Sequence, residues 1–363
     1  MNKEKLMQRA LDLAKKGIGF VSPNPLVGAV LWKGGKIISE GYHRAFGTPH
    51  AEIQAIRKAA SPKGATLVVN LEPCIHHGKT PPCAPRIVKA GIKKVIIGTP
   101  DPNPLVSGRG IKFLRKSGIE VEVGILKEEC MFLNRGFFSV HIRKRPWVML
   151  KLGVSLDGKI ATKTHNSKWL TNKKARIFVH KLRKQSDVVL AGRKTFQKDK
   201  PSLLPYLIKS KRKHPLGYPV RCLLTQKTKI LDCLKIVDNS HRTIIAIRDK
   251  SHKKNPRNLP ENISIFYFKN LKNLLKQFCE NGYNTIMIEG GGEVAGSFFD
   301  EGLVDEVFFI YAPVVVGGKN AINSVSGRGV NKISEAKKFP NFEIFSIDDN
   351  FVFHGFEDLC FQA

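Results

Sequence analysis

Apolar residues recur along this chain at two spacings, one suited to helices and one to strands, and the alternation divides it into elements. Near the start, Leu6, Ala10, Leu11 and Ala14 share one helical face. Apolar runs follow at VGAVLW (27–32), ATLVVNL (65–71), KKVIIGT (93–99) and IEVEVGIL (119–126), each read as a strand. Helices are expected between them: from His50 into AEIQAIRKAA, from Cys83 through PRIVKAG, and around IKFLRKSG. Strands separated by helices require a sheet covered by helices.

The basic, proline-bearing stretch RKRPW (143–147) reads as a linker, which sets domains at 1–145 and 146–363. A second α/β series begins there with WVMLKLGVS, then a helix over Lys173 to Lys184 capped by Thr171 or Asn172. Strands are expected at DVVLAG, VRCLLT, RTIIAI and ISIFYF, followed by a helix ending at Cys279. The segment NTIMIEGGGEVAGSFFDEG is a strand that runs into glycines and then a helix, and strand-like pieces EVFFIYAPVVVG, FEIFSI and FVFHGF close the chain. Residues 206–219 are basic and turn-rich, as in a mobile loop. No internal repeat is visible.

Composition narrows the class. With 363 residues, of which 42% are hydrophobic, each domain is long enough to bury its own core. No apolar run reaches the ~18 residues of a membrane span, and the charged N-terminus MNKEKLMQRALDLAKKG lacks the apolar stretch of a signal peptide, so a cytoplasmic location is expected. The 7 cysteines are scattered without a framework spacing and read as thiols or metal ligands. A net charge of +31 draws polyanions at low salt, but the lysines are spread along the chain and no nucleic-acid-binding module is present. The expected partner is a phosphorylated small molecule, with no specific nucleic acid and no membrane.

The chemistry concentrates in NLEPCIHHGKTPPC (70–83) and in HAE (50–52) upstream of it. Catalytic zinc keeps a small number of protein ligands and one open position. Cys74 and Cys83 supply two ligands; His76 or His77 is a candidate third, and His50, at the start of a helix with Glu52 two residues on, is a better one. A His-x-Glu followed by Pro-Cys is the pattern of zinc deaminases, in which the glutamate shuttles protons and does not bind the metal. A closed structural zinc clip is the competing reading, and it leaves Glu52 without a task.

The string EPCIHHGKTPPC, with HAE and PNPLVG (23–28) before it and DPNPLVSGRG (101–110) after it, resembles the bifunctional riboflavin-biosynthesis deaminase/reductases. The interval between the cysteines separates this pattern from cytidine and tRNA-adenosine deaminases. The resemblance implies an α/β fold with an N-terminal cytidine-deaminase-like three-layer domain and a C-terminal dihydrofolate-reductase-like domain. It implies deamination of the phosphorylated diamino-ribosylamino-pyrimidinone of that pathway, then NADPH-dependent reduction of the ribosyl chain to ribityl, with Zn²⁺ and NADPH as cofactors. By the same resemblance His50, Cys74 and Cys83 bind zinc, Glu52 is catalytic, and Asn24, His43, His76 and Lys79 surround the substrate.

In the second half, KLGVSLDGKIA (151–161), NSKWLT (166–171), TFQKDKP (195–201) and EGGGEVAGSFFDEGLVDE (289–306) carry the resemblance. It implies cofactor contacts from Gly153, Trp169, Thr195, Asp199, Gly291, Gly292, Glu293, Val294, Ala295, Gly296 and Ser297, and substrate contacts from Ser167, Arg183, Leu203 and Glu289. A strand, a glycine turn and a helix suit a pyrophosphate, and Arg183 suits a phosphate as a bidentate donor. The chain departs from the family at LLPY ending in Tyr206, at Thr225 and Gln226, and at Glu293 in place of a proline. Lys200 or Lys209 is a candidate to take over the phosphate contact. The resemblance also implies a homo-oligomer joined through the reductase half. Two other readings compete: a deaminase with an inactive reductase-like domain, and an RNA-acting deaminase suggested by the charge.

Overall fold

The computed structural model describes residues 2–78, 80–208, 214–226, 230–237, 240–249 and 259–359. The chain divides into two compact units, one built mainly from the residues up to Lys144 and the other from those between Arg145 and Asp358. Among the described residues, no helix is long and apolar enough to cross a membrane.

The first unit contains helix α1 (Lys3–Lys15), strands β1 (Gly28–Lys33) and β2 (Lys36–Tyr42), α2 (Ala51–Lys58), β3 (Thr66–Leu71), α3 (Cys83–Lys89), β4 (Lys94–Thr99), α4 (Arg109–Lys116), β5 (Glu120–Val123), α5 (Lys127–Leu133) and α6 (Arg135–Ile142). Its sheet has the order β2-β1-β3-β4-β5. The β1–β2 and β1–β3 pairs are antiparallel; β3–β4 and β4–β5 are parallel. Because successive side chains point to opposite faces of a strand, the central strands bury both faces. Leu31, Leu67, Val69, Val95 and Ile97 pack against α2, α3 and α4 through Ala51, Ala55, Ile87 and Leu114. Val30, Val68 and Ile96 face the other way, onto Met7, Ala10 and Leu11 of α1 and Cys130 of α5. This is the expected three-layer arrangement. Sequence analysis missed β2, α5 and α6, and the run 119–126 is strand only to Val123, with Leu126 in a left-handed conformation.

The second unit adds β6 (Trp147–Ser155), β7 (Lys159–Ala161), α7 (Lys173–Gln185), β8 (Val188–Gly192), α8 (Arg193–Asp199), β9 (Val220–Gln226), α9 (Ile230–Leu234), β10 (Thr243–Arg248), β11 (Ile263–Phe268), α10 (Leu271–Glu280), β12 (Thr285–Ile288), α11 (Gly292–Asp300), β13 (Glu306–Ala312), β14 (Ile322–Asn323), β15 (Asn341–Ile347) and β16 (Asn350–Phe356). Its 9-stranded sheet runs β11-β10-β9-β8-β12-β6-β13-β16-β15, parallel from β11 to β13 and closed by the antiparallel β13–β16 and β16–β15 pairs. Buried parallel strands read as continuous apolar runs, which is why VVLAG, VRCLL and TIIAI were legible. Asn172 caps α7, its side-chain oxygen accepting from Ala175 N at 2.8 Å.

The boundary between the units, Lys144/Arg145, falls within RKRPW, and the part of this stretch that belongs to the second unit is anchored: Arg145 is clamped bidentately on buried Asp305 at 2.6 Å, and Trp147 is fully buried with Nε1 donating to Glu306 at 2.7 Å. The anchor was not legible because the carboxylate partner of Arg145 lies far along the sequence. Of the basic segment 206–219, residues 209–213, Lys209 among them, fall outside the described residues.

Candidate active site

In the first unit, β3 and α3 deliver the cysteines and the start of α2 delivers the histidine. Cys74 lies just after β3, Cys83 opens α3, and His50 sits at the N-cap of α2 with Glu52 in its first turn. His50 Nδ1 is 3.3 Å from Cys83 Sγ and 3.6 Å from Cys74 Sγ. All three ligand atoms fall within 4.8 Å of one another. The helix start brings Cys83 N and Ala84 N onto Cys74 O at 3.1 and 3.0 Å, which closes the interval between the cysteines.

The donor set of one imidazole nitrogen and two sulfurs suits zinc. Beside it, Glu52 is buried, its Oε2 lacks a hydrogen-bond partner, and burial raises its pKa. Between the sulfurs, the first proton leaves Cys74, whose pKa is lowered to about 4, chiefly by the hydrogen bond from Cys83. That same contact, with burial, raises the Cys83 thiol. For His50, burial opposes protonation, but Cys74 and Glu52 outweigh it and the pKa is raised. The residues thus fit a divalent cation with a proton-holding carboxyl at its side.

The surrounding residues are held tightly. His43 packs edge-on against His50, with ring centroids 5.3 Å apart. Its Nδ1 lies 3.4 Å from Pro49 O and its Nε2 lies 3.2 Å from Asn24 Nδ2, contacts that assign a neutral ring with its proton on Nδ1. Burial, then the charge on His50, lowers the His43 pKa to about 4. Asn70 and Asn134 grip Leu26 beyond the turn that bears Asn24: Asn70 and Asn134 amides donate to Leu26 O at 2.9 and 3.0 Å, and Leu26 N donates to Asn134 at 2.7 Å. His76 is half-buried with Nδ1 unpartnered. Lys79 lies outside the described residues.

Sequence analysis gave no role to Glu72 and Asp101. Buried Glu72 accepts backbone N–H groups from Asp101 (3.1 Å), Gly108 (3.0 Å) and Ile111 (3.1 Å), and so pins DPNPLVSGRG to the cysteine segment. Burial pushes the Asp101 carboxyl up to about 7.

In the second unit, Glu289 follows β12 and is the centre of a buried charge cluster. Arg183 Nε and Nη2 donate to it at 2.5 and 3.0 Å, and Lys151 Nζ lies at 2.9 Å. Burial opposes ionisation of Glu289, but Lys151 and Arg183 prevail and hold it at about 2. The bidentate edge expected to meet a phosphate is therefore already spent on Glu289, while Arg183 Nη1 donates to Leu204 O at 3.1 Å. The trio still carries one net positive charge. Leu203 is buried, and Tyr206 packs edge-on to His180. Lys151 and His180 were not singled out from sequence; nothing in their local pattern marks them.

The glycine segment divides by environment. A Cβ on Gly291 would meet nothing within 4 Å, so open space lies over the start of α11. A Cβ on Gly292 would come within 2.3 Å of Asn323 O, and one on Gly296 within 1.8 Å of Ser326 O. Those two glycines admit the loop 323–328, and no cofactor can occupy that face. Ala295 belongs to the core, Val294 packs on Gly290 and Gly192, and Ser297 donates to Glu293 O at 2.8 Å. Glu293 pairs with Lys194 in the open at 2.6 Å. Thr225 Oγ1 donates to Gln226 O at 3.2 Å at the end of β9. Trp169 is 70% exposed, with the Arg176 guanidinium 4.3 Å from its ring centroid. Gly153 lies on β6, half-buried Ser167 precedes Trp169, Thr195 is half-buried in α8, and Asp199 ends α8 exposed. The open turn over Gly291 fits a pyrophosphate.

Known proteins match both units. The cytidine and deoxycytidylate deaminase zinc-binding region matches residues 1–99, and the RibD C-terminal domain matches residues 146–352. The riboflavin biosynthesis protein RibD of Aquifex aeolicus is 39% identical, covering 95% of this chain and 96% of its own. RibD of Escherichia coli is 35% identical over 98% and 99%. A Thermotoga maritima structure described as a diaminohydroxyphosphoribosylaminopyrimidine deaminase/5-amino-6-(5-phosphoribosylamino)uracil reductase is 37% identical, covers 98% of this chain and 99% of that one, and superposes with a TM-score of 0.85. An Acinetobacter baumannii RibD structure is 32% identical with a TM-score of 0.86 over 98% and 99%. The match runs through both halves, and the chain belongs to the RibD family of riboflavin-biosynthesis proteins, bifunctional enzymes that join a zinc-dependent deaminase to an NADPH-dependent reductase.

Proposed function

We propose that residues 1–145 deaminate the phosphorylated diamino-ribosylamino-pyrimidinone and that residues 146–363 reduce the ribosyl chain of the product. The observation that carries this reading is the convergence of His50, Cys74 and Cys83 beside buried Glu52, whose Oε2 has no hydrogen-bond partner. These three side chains hold zinc, which when bound supplies the Lewis acidity that makes water a nucleophile at neutral pH. Glu52 Oε2 takes one proton from the attacking water and gives it to the ring nitrogen, then takes a second from the hydroxyl of the tetrahedral adduct and gives it to the amino group, which leaves as ammonia while the hydroxyl becomes the carbonyl. Its raised pKa suits both directions of transfer, because a carboxyl that gives up its proton reluctantly is also a better base. His43, neutral and fixed between Asn24 and Pro49 O, walls the pocket, and His76 and Lys79 take polar groups of the substrate.

In the second domain, NADPH supplies the hydride. The backbone at Gly291 and the first turn of α11 receive its pyrophosphate, with Thr195, Asp199, Gly153 and Trp169 along the remainder. Glu289 keeps Arg183 and Lys151 charged and in place, and the net positive charge of the trio attracts the substrate phosphate while Ser167 and Leu203 border it. With Arg183 committed to Glu289 and Leu204 O, Lys200 is the described side chain left to take up the phosphate contact. We place the enzyme in the cytoplasm as a homo-oligomer joined through the reductase domain, without a specific nucleic-acid partner. The test is product analysis for wild type and Glu52→Gln: the variant is expected to lose deamination yet still oxidise NADPH when given the deaminated substrate.

A further inference from the structure

We infer that Thr80 is a positioning residue for His50, a reading that rests on His50, Cys74 and Cys83 being the zinc ligands. His50 turns Nδ1 toward the two sulfurs, 3.3 Å from Cys83 and 3.6 Å from Cys74. Its other ring nitrogen, Nε2, lies 3.3 Å from Thr80 Oγ1. An imidazole that binds metal through Nδ1 carries its proton on Nε2, and the partner of that proton fixes both the tautomer and the ring plane. Thr80 Oγ1 is the acceptor that the structure supplies. His43, packed edge-on to the ring, cannot take this role, because its own nitrogens face Asn24 and Pro49 O.

The position of Thr80 gives the interval between the cysteines a purpose. Thr80 lies in the interval between Cys74 and Cys83, where Gly78 N donates to Thr80 O at 3.4 Å. The interval carries a hydroxyl to the outer edge of the ligand ring. The same segment bears His76, whose buried Nδ1 is unpartnered. Through Thr80 and His50 it is tied to the start of α2, where Glu52 sits, so that one hydrogen bond aligns the metal ligand with the segment proposed to face substrate.

The experiment compares full-length wild type, Thr80→Val and Thr80→Ser, each loaded with one zinc per chain, in competition with a chromogenic chelator. Valine keeps the shape of threonine and removes the acceptor; serine keeps the acceptor. Loss of such an outer partner weakens metal binding by about 10- to 100-fold, so T80V is expected to fall in that range and T80S to stay within about threefold of wild type. Zinc affinity in T80V equal to wild type, with a melting curve showing it folded, overturns the inference and leaves the ligand assignment standing. Wild type that binds no zinc, or binds it as tightly after His50→Ala, overturns both. Should T80V not fold, exchange of the His50 Nε2 proton with water in zinc-loaded wild type decides: a proton protected from exchange, as a hydrogen bond to Thr80 Oγ1 requires, supports the inference, and one that exchanges as fast as that of a free imidazole refutes it.

Discussion

Replacing Gly291 and Gly296 by alanine, one at a time, tests the proposal that one face of α11 meets cofactor while the other meets protein. At Gly296 an added Cβ would lie 1.8 Å from Ser326 O, 2.2 Å from Ser326 C and 2.7 Å from Gly327 N. Relief requires the loop to retreat by roughly 1.5 Å to reach ordinary contact. That loop is held by Asp300, whose carboxylate accepts from Arg328 N at 3.2 and 2.9 Å, and by Ser326 N donating to Gly292 O at 3.0 Å. Overpacking of this kind costs about 1–3 kcal/mol, and alanine returns about 1 kcal/mol of helix propensity. With backbone as the obstacle, the upper end applies and the net loss is about 2 kcal/mol, a fall in Tm of about 4–8 °C for a unit of this size. At Gly291 the added carbon meets nothing, so the cost is at most about 1 kcal/mol of N-cap preference. It would, however, displace a pyrophosphate from the backbone and weaken charged hydrogen bonds worth about 1.5–3 kcal/mol, raising KM for NADPH by roughly 10- to 100-fold. Thermal melts and steady-state NADPH kinetics are the assays. A wild-type melt for Gly296→Ala together with an unchanged KM for Gly291→Ala would refute the division of the two faces.

Two further predictions concern buried carboxylates. In the zinc-free chain, Asp101 keeps its proton to about 7 because it is buried, whereas an unfolded aspartate loses its proton near pH ~3.9. The folded state therefore holds an extra proton in that window and stability falls as pH rises through it, by about 4 kcal/mol at most; urea unfolding across pH should show this slope and Asp101→Asn should flatten it, and an unchanged slope counts against the reading. Glu289→Gln leaves Arg183 and Lys151 as buried cations without their counter-charge, which should cost about 3–5 kcal/mol in denaturant unfolding and abolish reduction; a variant as stable as wild type would show that solvent reaches the cluster.

Local signals made the deaminase site legible and non-local contacts hid the remainder. His50 and Glu52 lie two residues apart, and Cys74 and Cys83 nine apart, so sequence spacing alone brings their types into one pattern. The paired asparagines Asn70 and Asn134 that grip Leu26, and Glu72 that pins residues 101–111, act across distances no periodicity reports. Strand β2 escaped because KIISEGY mixes charge and glycine along an edge whose residues are mostly half-exposed. RKRPW was legible as the boundary between the units, but the anchoring of Arg145 was not, because the carboxylate that neutralises it, Asp305, lies 160 positions away. The glycine segment was readable as a turn before a helix, but which glycines face ligand and which face the loop at Ser326 depends on a contact that forms only in the folded unit.

The most direct measurement of the central claim is the mass of the products formed from the phosphorylated diamino-ribosylamino-pyrimidinone and NADPH. For the wild-type, zinc-loaded chain, exchange of one amino group for oxygen followed by gain of two hydrogens is the predicted result, with both changes absent in Glu52→Gln unless the deaminated substrate is supplied. Unaltered substrate with wild type, or deamination persisting in Glu52→Gln, would contradict the account.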